Sequence, residues 1–229
     1  MRRYYLRLPN PNDPKDIERH KQAVLEKFGA MFALTDSALQ DSIPKANNIF
    51  ALFGGGADRA VHAMNTRYLM KVFLSQNAVA AEEKTFDDLN IEWVPNCGLY
   101  IKQPEAEFRI LKTGPWGVPK ATSEARSRYY SSNQLLLGLS RNNSEENDSD
   151  LPITLVLLWD INDQYGYLGL EIACPRNTKK DGTVDCYWIT RWNGSASAAS
   201  PVEAPPQLPD TDLEGITRIP KDKSRAAKG

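Results

Sequence analysis

A basic segment in the middle of the chain is the main candidate for a contact surface. Between positions 109 and 141 its cations are offset by a single acidic residue, Glu124, and three aromatic residues lie among them. Arginine and lysine neutralise phosphates, and exposed aromatic rings stack on bases. An acidic protein would need the same charges. The residues assigned to this surface are Arg109, Lys112, Trp116, Lys120, Arg126, Arg128 and Tyr129.

Two carboxylates, Asp160 and Glu171, are the candidates for catalysis. A metal-dependent nuclease needs carboxylates that converge on a sheet, and both residues belong to strands predicted below. The position two residues after Glu171 is Ala173, although a lysine would fit such a site better. The competing interpretation is structural, with Asp160 capping a loop and Glu171 at an exposed edge. A nuclease-like phosphoryl-transfer enzyme is therefore the alternative function.

Other patterns that could carry chemistry are incomplete. The glycines at 54–56 precede a predicted helix, but their spacing matches neither nucleotide-binding motif, and a hinge or packing contact explains them better. No close Cys-x-x-Cys pair occurs, so no metal site or cofactor is predicted and the cysteines are expected to be thiols. The cysteines are Cys97, Cys174 and Cys186, and the histidines are His20 and His62.

The composition is that of an ordinary globular protein. The chain has 229 residues, is 41% hydrophobic and has a formal net charge of −1, so overall charge does not indicate a nucleic-acid or membrane partner. No apolar run approaches the ~18 residues of a membrane span. The N-terminus has charge without a following apolar run, unlike a secretory signal. A cytoplasmic protein is expected.

Residues 151–175 must position the two carboxylates, and they predict a pair of strands joined by a tight loop. Residues 153–159 supply mostly apolar side chains to both faces of the predicted strand, which indicates an interior strand covered on both faces. A second strand follows at 167–174, and Pro175 is expected to end it because proline has no N–H to donate. A third strand, 186–192, is predicted to pair back through a turn at Asp181-Gly182.

The earlier part of the chain changes from helices to strands. A helix is predicted from Lys15, a break at 36–44 because of Asp36 and Pro44, and a short helix at 45–53. The next helix, 58–75, is expected to bury an apolar side. Short strands are predicted at 91–94, 99–102 and 107–112, and a helix capped by Ser123 at 123–137. The apolar side of the 58–75 helix comprises Val61, Met64, Tyr68, Val72 and Phe73.

The last part of the chain, 193–229, has no aromatic residue and is rich in Ser, Ala and Pro. Such a segment buries too little apolar surface to offset its ordering entropy, so a flexible tail is predicted. Leu213, Ile216 and Ile219 form a small apolar island that could bind a partner in an extended form. The competing interpretation is a solubilising tail without contacts.

These patterns predict an α+β protein: an N-terminal helical part packed on a mainly antiparallel β-sheet, with a flexible C-terminal tail. A single domain is expected at 1–192, helical over about 15–84 and sheet over about 91–192. The preferred function is a non-enzymatic intracellular binding or regulatory protein, antitoxin-like in its compact domain and tail. A protein partner, nucleic acid or both would contact the basic segment and tail, and the oligomeric state stays open.

Overall fold

The computed structural model describes residues 6–51, 59–80, 90–94, 98–114, 117–142 and 152–194. All of them belong to the first of two units into which the chain divides, Met1–Ser197. The second unit, Ala198–Gly229, lies outside the described residues, as do the predictions made for Leu213, Ile216 and Ile219. Trp116, Cys97 and the glycines at 54–56 also lie outside them.

The described part of the chain forms three helices and six strands. The helices are α1 (Pro14–Ala51), α2 (Arg59–Ala80) and α3 (Glu124–Asn142). The strands are β1 (Asn90–Val94), β2 (Gly98–Gln103), β3 (Ala106–Lys112), β4 (Ile153–Ile161), β5 (Tyr167–Thr178) and β6 (Val184–Arg191). The predicted order, helices first and strands later, is confirmed.

The six strands form one sheet in chain order, β1 to β6. Every neighbouring pair is antiparallel except β3 and β4, which are parallel. A parallel pair needs a crossover connection, and α3 provides it. The predicted α+β class with a mainly antiparallel sheet is therefore confirmed, and the sheet consists of two antiparallel three-stranded units joined at one parallel seam.

Helices cover both faces of this sheet. On one face α1 contacts β5 and β6, and α2 contacts β1 and β2. Phe28 and Phe32 of α1 meet Phe108 of β3 edge-to-face, with ring centroids 5.2 and 6.0 Å apart. On the other face α3 packs on β4 and β5 over a smaller core that includes Tyr130 and Val156. We call these the α1/α2 side and the α3 side.

Strand β4 is the interior strand that the sequence predicted. All seven residues from Ile153 to Trp159 are buried. Leu155 and Leu157 belong to the core of the α1/α2 side, whereas Val156 and Leu158 belong to the core of the α3 side. Alternating side chains point to opposite faces of a strand, so a strand covered on both faces needs the continuous apolar run found here.

The predicted break in the first helix is wrong, because α1 runs without interruption from Pro14 to Ala51. Asp36 and Asp41 do not end the helix but bond Gln40 and Lys45 one turn later, at 2.8 Å and 2.9 Å. Pro44 lies inside the helix on its exposed side. The buried positions keep helical spacing through the supposed break: Met31, Phe32, Thr35, Ala38, Leu39, Ser42, Ile43 and Ala46. Packing therefore overrides the local breaking signals.

The predicted end of β5 at Pro175 is also wrong, since the strand continues to Thr178. The register with β6 shifts on both sides of Pro175, so the strand passes it through a β-bulge. At a bulge one residue is left out of the regular ladder, which is where a proline without an N–H is tolerated. The predicted turn that follows is confirmed by Lys179 and Thr183, whose backbones bond at 2.8 Å around Gly182.

Four of the five residues predicted for the apolar side of the second helix are exposed on α2, and only Phe73 packs against the core. The other core contacts of α2 come from residues such as Ala63, Met70 and Leu74, whereas Val61 and Tyr68 are exposed. Both sides of α2 are partly apolar, so hydrophobic spacing alone did not identify the side that packs.

Candidate functional site

The alternation of β3 divides the predicted basic segment between the two faces of the sheet. Arg109 lies on the α3 side, where its guanidinium carbon is 5.1 Å from the Tyr100 ring centroid. Lys112 lies on the α1/α2 side, where its ammonium nitrogen is 5.9 Å from the ring of the buried Trp159. Residues three apart on a strand must face opposite ways. The structure therefore does not bring Lys112 together with Arg109.

Tyr129 is a structural residue of α3 and not an exposed aromatic. It is buried, and its hydroxyl lies 2.9 Å from the backbone oxygen of Leu155 and 3.2 Å from that of Glu107. Burial raises the pKa of this hydroxyl well above its ordinary value, so it remains a donor. Its ring is not available to stack on a base, and its contacts fix α3 against β3 and β4.

Arg109 and Arg126 come together around Tyr100 and form the best-defined cluster of the basic segment. The Arg109 guanidinium lies over two tyrosine rings, 5.1 Å from Tyr100 and 5.4 Å from Tyr129, and these rings meet edge-to-face. Arg126 is held by the backbone oxygen of Lys120 at 3.1 Å. Burial raises the pKa of Tyr100, and both arginines oppose that shift through their charge. We call this the arginine–tyrosine cluster.

Both arginines of this cluster keep hydrogen-bonding capacity. The Nε atoms of Arg109 and Arg126 are buried without a hydrogen-bond partner. Among the described residues no carboxylate forms an ion pair with either guanidinium. A buried donor without an acceptor costs free energy. Both arginine side chains are half-buried, so an anion could reach only the parts of the guanidinium groups that remain exposed.

The other two cations predicted for the site on the α3 side, Arg128 and Lys120, have acidic neighbours. Arg128 is hydrogen-bonded to Glu124 one turn earlier, and both side chains are 78% exposed. The Lys120 ammonium lies 3.9 Å from a carboxylate oxygen of Asp181. Exposed pairs of this kind contribute about 0–1 kcal/mol each. They balance the charge of the surface without ordering it.

Asn133 holds α3 in place, and the sequence analysis did not identify it. Its amide nitrogen donates to the backbone oxygens of Thr154 and Pro175, both at 2.8 Å, and its amide oxygen accepts from the Thr154 N–H at 2.8 Å. One buried side chain thus joins α3 to β4 and to the bulge of β5. An asparagine one helical turn after Tyr129 was the only signal in the sequence.

Asp160 and Glu171 lie on the same side of the sheet, on the neighbouring strands β4 and β5. Asp160 is paired with Gly169 on β5, so Glu171 is its diagonal neighbour across the two strands. The Cα atoms of diagonal neighbours are typically about 7–8 Å apart. An Asp160 carboxylate oxygen accepts the N–H of Ile161 at 2.8 Å, which is the structural role weighed above. Over the described ranges no group of three His, Cys, Asp or Glu could hold a metal ion.

A cavity of about 290 Å³ opens where β3 and β4 end. Asp160 contributes to its wall, and Glu171 is not among the residues that line this cavity. The full lining is Lys112, Thr113, Gly114, Asp160, Ile161, Asn162, Asp163 and Tyr165. Its charges are mixed, and its lining does not include the described basic residues of the α3 side, which are Arg109, Lys120, Arg126 and Arg128.

A polar cluster behind this cavity joins the helices to the loop between β4 and β5. Asn47 of α1 donates to the backbone oxygen of Tyr165 at 3.2 Å and contacts His62 of α2 at 2.7 Å. Tyr165 has a positive φ of 59°, a conformation that costs free energy in a bulky residue. Burial and the nearby Lys112 charge lower the pKa of His62. These contacts stabilise a strained loop.

Two cysteines lie within the described residues, and both are free. Burial raises the pKa of Cys174 well above its ordinary value and that of Cys186 to about 12. Reactive cysteines need a lowered pKa. These thiols therefore serve packing.

Comparison with known protein families, with curated proteins and with solved structures found no match. None of the helices, over the described residues, combines the length and apolar character that crossing a bilayer requires. The candidate site therefore has to be argued from its own geometry.

Proposed function

We propose that this protein is a non-enzymatic intracellular binding protein whose ligand is an acidic region of another protein. The observation that carries the proposal is the arginine–tyrosine cluster on the α3 side. Arg109 and Arg126 are half-buried, and none of the described carboxylates forms an ion pair with either of them. A carboxylate supplied by a ligand could pair with the exposed part of either guanidinium.

The geometry of the cluster favours planar anions. A guanidinium presents its donors as a fork that matches the two oxygens of a carboxylate. The Tyr100 and Tyr129 rings hold Arg109 from one side, so little side-chain entropy is lost when a ligand binds. A half-buried ion pair is also less screened by salt than an exposed one.

An acidic protein fits this surface better than a nucleic acid does. Nucleic acids follow a continuous track of cations and stack on exposed rings. Here Lys112 lies on the opposite face of the sheet, Tyr129 is buried, and Glu124 accompanies Arg128. The surface therefore offers a local anion site in place of an extended basic stripe.

The regulatory part of the proposal rests on the end of the chain. Leu213, Ile216 and Ile219 are proposed to bind the same partner in an extended form, as in antitoxin-like proteins that combine a domain with a tail. The sequence pattern alone supports this part of the proposal.

Fluorescence anisotropy with two labelled probes tests the proposal. One probe is an unstructured Glu/Asp/Gly peptide of about 15 residues, and the other is a single-stranded oligonucleotide of equal charge. We expect the peptide to bind more tightly. The double substitution Arg109→Gln with Arg126→Gln should weaken peptide binding by about tenfold or more, because a buried charge contact is lost.

Two single substitutions are the matched controls. Arg128→Gln removes an exposed, paired cation from the same helix, and Lys112→Gln removes a cation from the other face. Each should leave peptide binding within about twofold. Tighter binding of the oligonucleotide, or equal losses in all variants, would contradict the proposal.

A further inference from the structure

An apolar stripe runs along the exposed side of α2. It consists of Val61, Met64, Tyr68 and Val72, whose exposed fractions are 41%, 37%, 59% and 38%. The spacing of three and four residues places them in one row on a helix. The side of α2 that packs against the protein is a different one, since it carries Ala63, Met70 and Leu74 in the core.

We propose that this stripe is a docking surface for an acidic amphipathic helix of another protein. Rows of apolar residues at this spacing are what a partner helix needs for interdigitating side chains. The stripe belongs to the α1/α2 side, so it is separate from the arginine–tyrosine cluster.

The positive charge of α2 favours a partner helix that carries negative charge. The helix carries three cations, Arg59, Arg67 and Lys71, and no acidic residue. Arg67 and Lys71 immediately precede Tyr68 and Val72, so they border the stripe. Both also interact elsewhere in the chain, and five guanidinium donors and three ammonium donors allow more than one acceptor each. Glutamates beside the apolar row of a partner helix would meet these cations.

A second copy of this chain fits the stripe less well. Pairing two α2 helices would bring the same cations against each other, and like charges across an interface cost binding free energy. The four side chains also offer only a few hundred Å², whereas a stable dimer buries about 800 Å² per partner. One short helix matches both the charge and the size.

Three synthetic labelled peptides of about 18 residues test the proposal on the full chain, each long enough to form a helix. The first has leucines at heptad a and d positions, glutamates at e and g positions and alanines elsewhere, which limits repulsion between glutamates along the helix. The second has the same composition in scrambled order, and the third has lysines in place of the glutamates. We expect the first peptide to bind at least about tenfold more tightly than either of the others.

Paired variants locate the binding. Met64→Ser with Tyr68→Ser should weaken binding of the first peptide by about tenfold, because both anchors are lost. Leu168→Ser with Ile189→Ser removes comparable exposed apolar surface on the sheet and should change nothing. Arg109→Gln with Arg126→Gln should also leave this binding intact, which separates it from the function proposed above.

Three results would overturn the proposal. The first is a patterned peptide that binds no better than the scrambled peptide or does not bind at all. The second is binding that survives the Met64/Tyr68 substitutions or disappears with the Arg109/Arg126 substitutions. The third is a dimer in sedimentation equilibrium that the Met64/Tyr68 variant dissociates, because the occupant would then be a second copy.

Discussion

At the scale of single residues, buried polar side chains determine how the helices sit on the sheet. Trp188 of β6 donates its indole N–H to Nδ1 of His20 at 3.0 Å, across the core of the α1/α2 side. This hydrogen bond requires a neutral imidazole with its proton on Nε2. Burial lowers the pKa of His20 from 6.5 to about 4, and the nearby Asp16 opposes the shift.

The lowered pKa of His20 predicts a loss of stability in mild acid. Between pH 6.5 and about 4 the unfolded chain binds a proton that the folded chain refuses. The contribution of the neutral His20 to the free energy of unfolding is therefore fully present above pH 6.5. It should be lost as the pH drops through this window, which lowers the free energy of unfolding by on the order of 3 kcal/mol. Urea unfolding at pH 7, 6, 5 and 4 measures it.

His20→Gln provides the control, because an amide oxygen can accept the Trp188 N–H but does not titrate. The pH dependence should become shallower in this variant. His62 has a lowered pKa as well, so adding His62→Gln should remove the remaining histidine contribution. A slope in His20→Gln equal to that of the parent chain would contradict the prediction.

The sequence identified candidate site residues by their chemical type, but it did not predict which face of the sheet each one lies on or whether it is buried. Arg109 and Lys112 were grouped by proximity in sequence, yet the alternation of β3 already placed them on opposite faces. Tyr129 was predicted as a stacking aromatic, and its burial could not be predicted. Which side of α3 packs on the sheet depends on contacts distant in sequence, such as the one between Tyr129 and Leu155. Tyr100 was missed for the same reason, since it reaches the cluster from β2.

At the scale of elements, α1 shows how packing overrides a local signal. Pro44 removes one backbone N–H from the helix and leaves the Gln40 carbonyl without its usual partner. Buried residues on both sides of it, Ile43 and Ala46 among them, hold the helix together. The sequence could predict the proline's effect on an isolated helix, but it could not predict the strength of the core contacts that oppose it.

Pro44→Ala should therefore stabilise the protein. The side chain is exposed, so the substitution leaves the core unchanged while restoring a helical hydrogen bond. We expect the free energy of unfolding to rise by about 1–3 kcal/mol, the usual cost of proline inside a helix. Chemical denaturation of both proteins gives the difference.

Ser37→Ala is the matched control, an exposed position on the same helix where the backbone N–H is already present. Its effect should stay within about 0.5 kcal/mol. A Pro44→Ala variant less stable than the parent would show that the proline contributes contacts of its own.

At the scale of the whole molecule, Trp192 connects the sheet to helix α1. Its backbone N–H donates to the Leu170 oxygen at 2.8 Å, and its ring centroid lies 5.5 Å from that of Phe32. This residue was predicted as the end of the ordered domain. It is the last contact between the final strand and α1.

Two truncated chains measure this contact. One ends at Gly194 and the other at Arg191, so they differ only in three residues, of which Trp192 alone packs on the core. The longer chain should be more stable by about 2–4 kcal/mol, as expected for a partly buried tryptophan. Equal free energies of unfolding would place the end of the fold before Trp192.

The topology could be predicted only in part. Short connections between strands favoured antiparallel pairing, which is correct for all but one pair. The helix between β3 and β4 was predicted, but its consequence for pairing was not, because sequence does not reveal that these two strands become neighbours. The two covered faces follow from the same crossover, which carries α3 to the side opposite α1 and α2.

The parallel seam between β3 and β4 has a kinetic consequence. Each three-stranded unit closes short loops, whereas pairing β3 with β4 closes the long loop that contains α3. The entropic cost of loop closure grows with loop length, and contacts distant in sequence slow folding. The two halves of the sheet should therefore condense separately, and the rate of folding should be set by the collision that joins them.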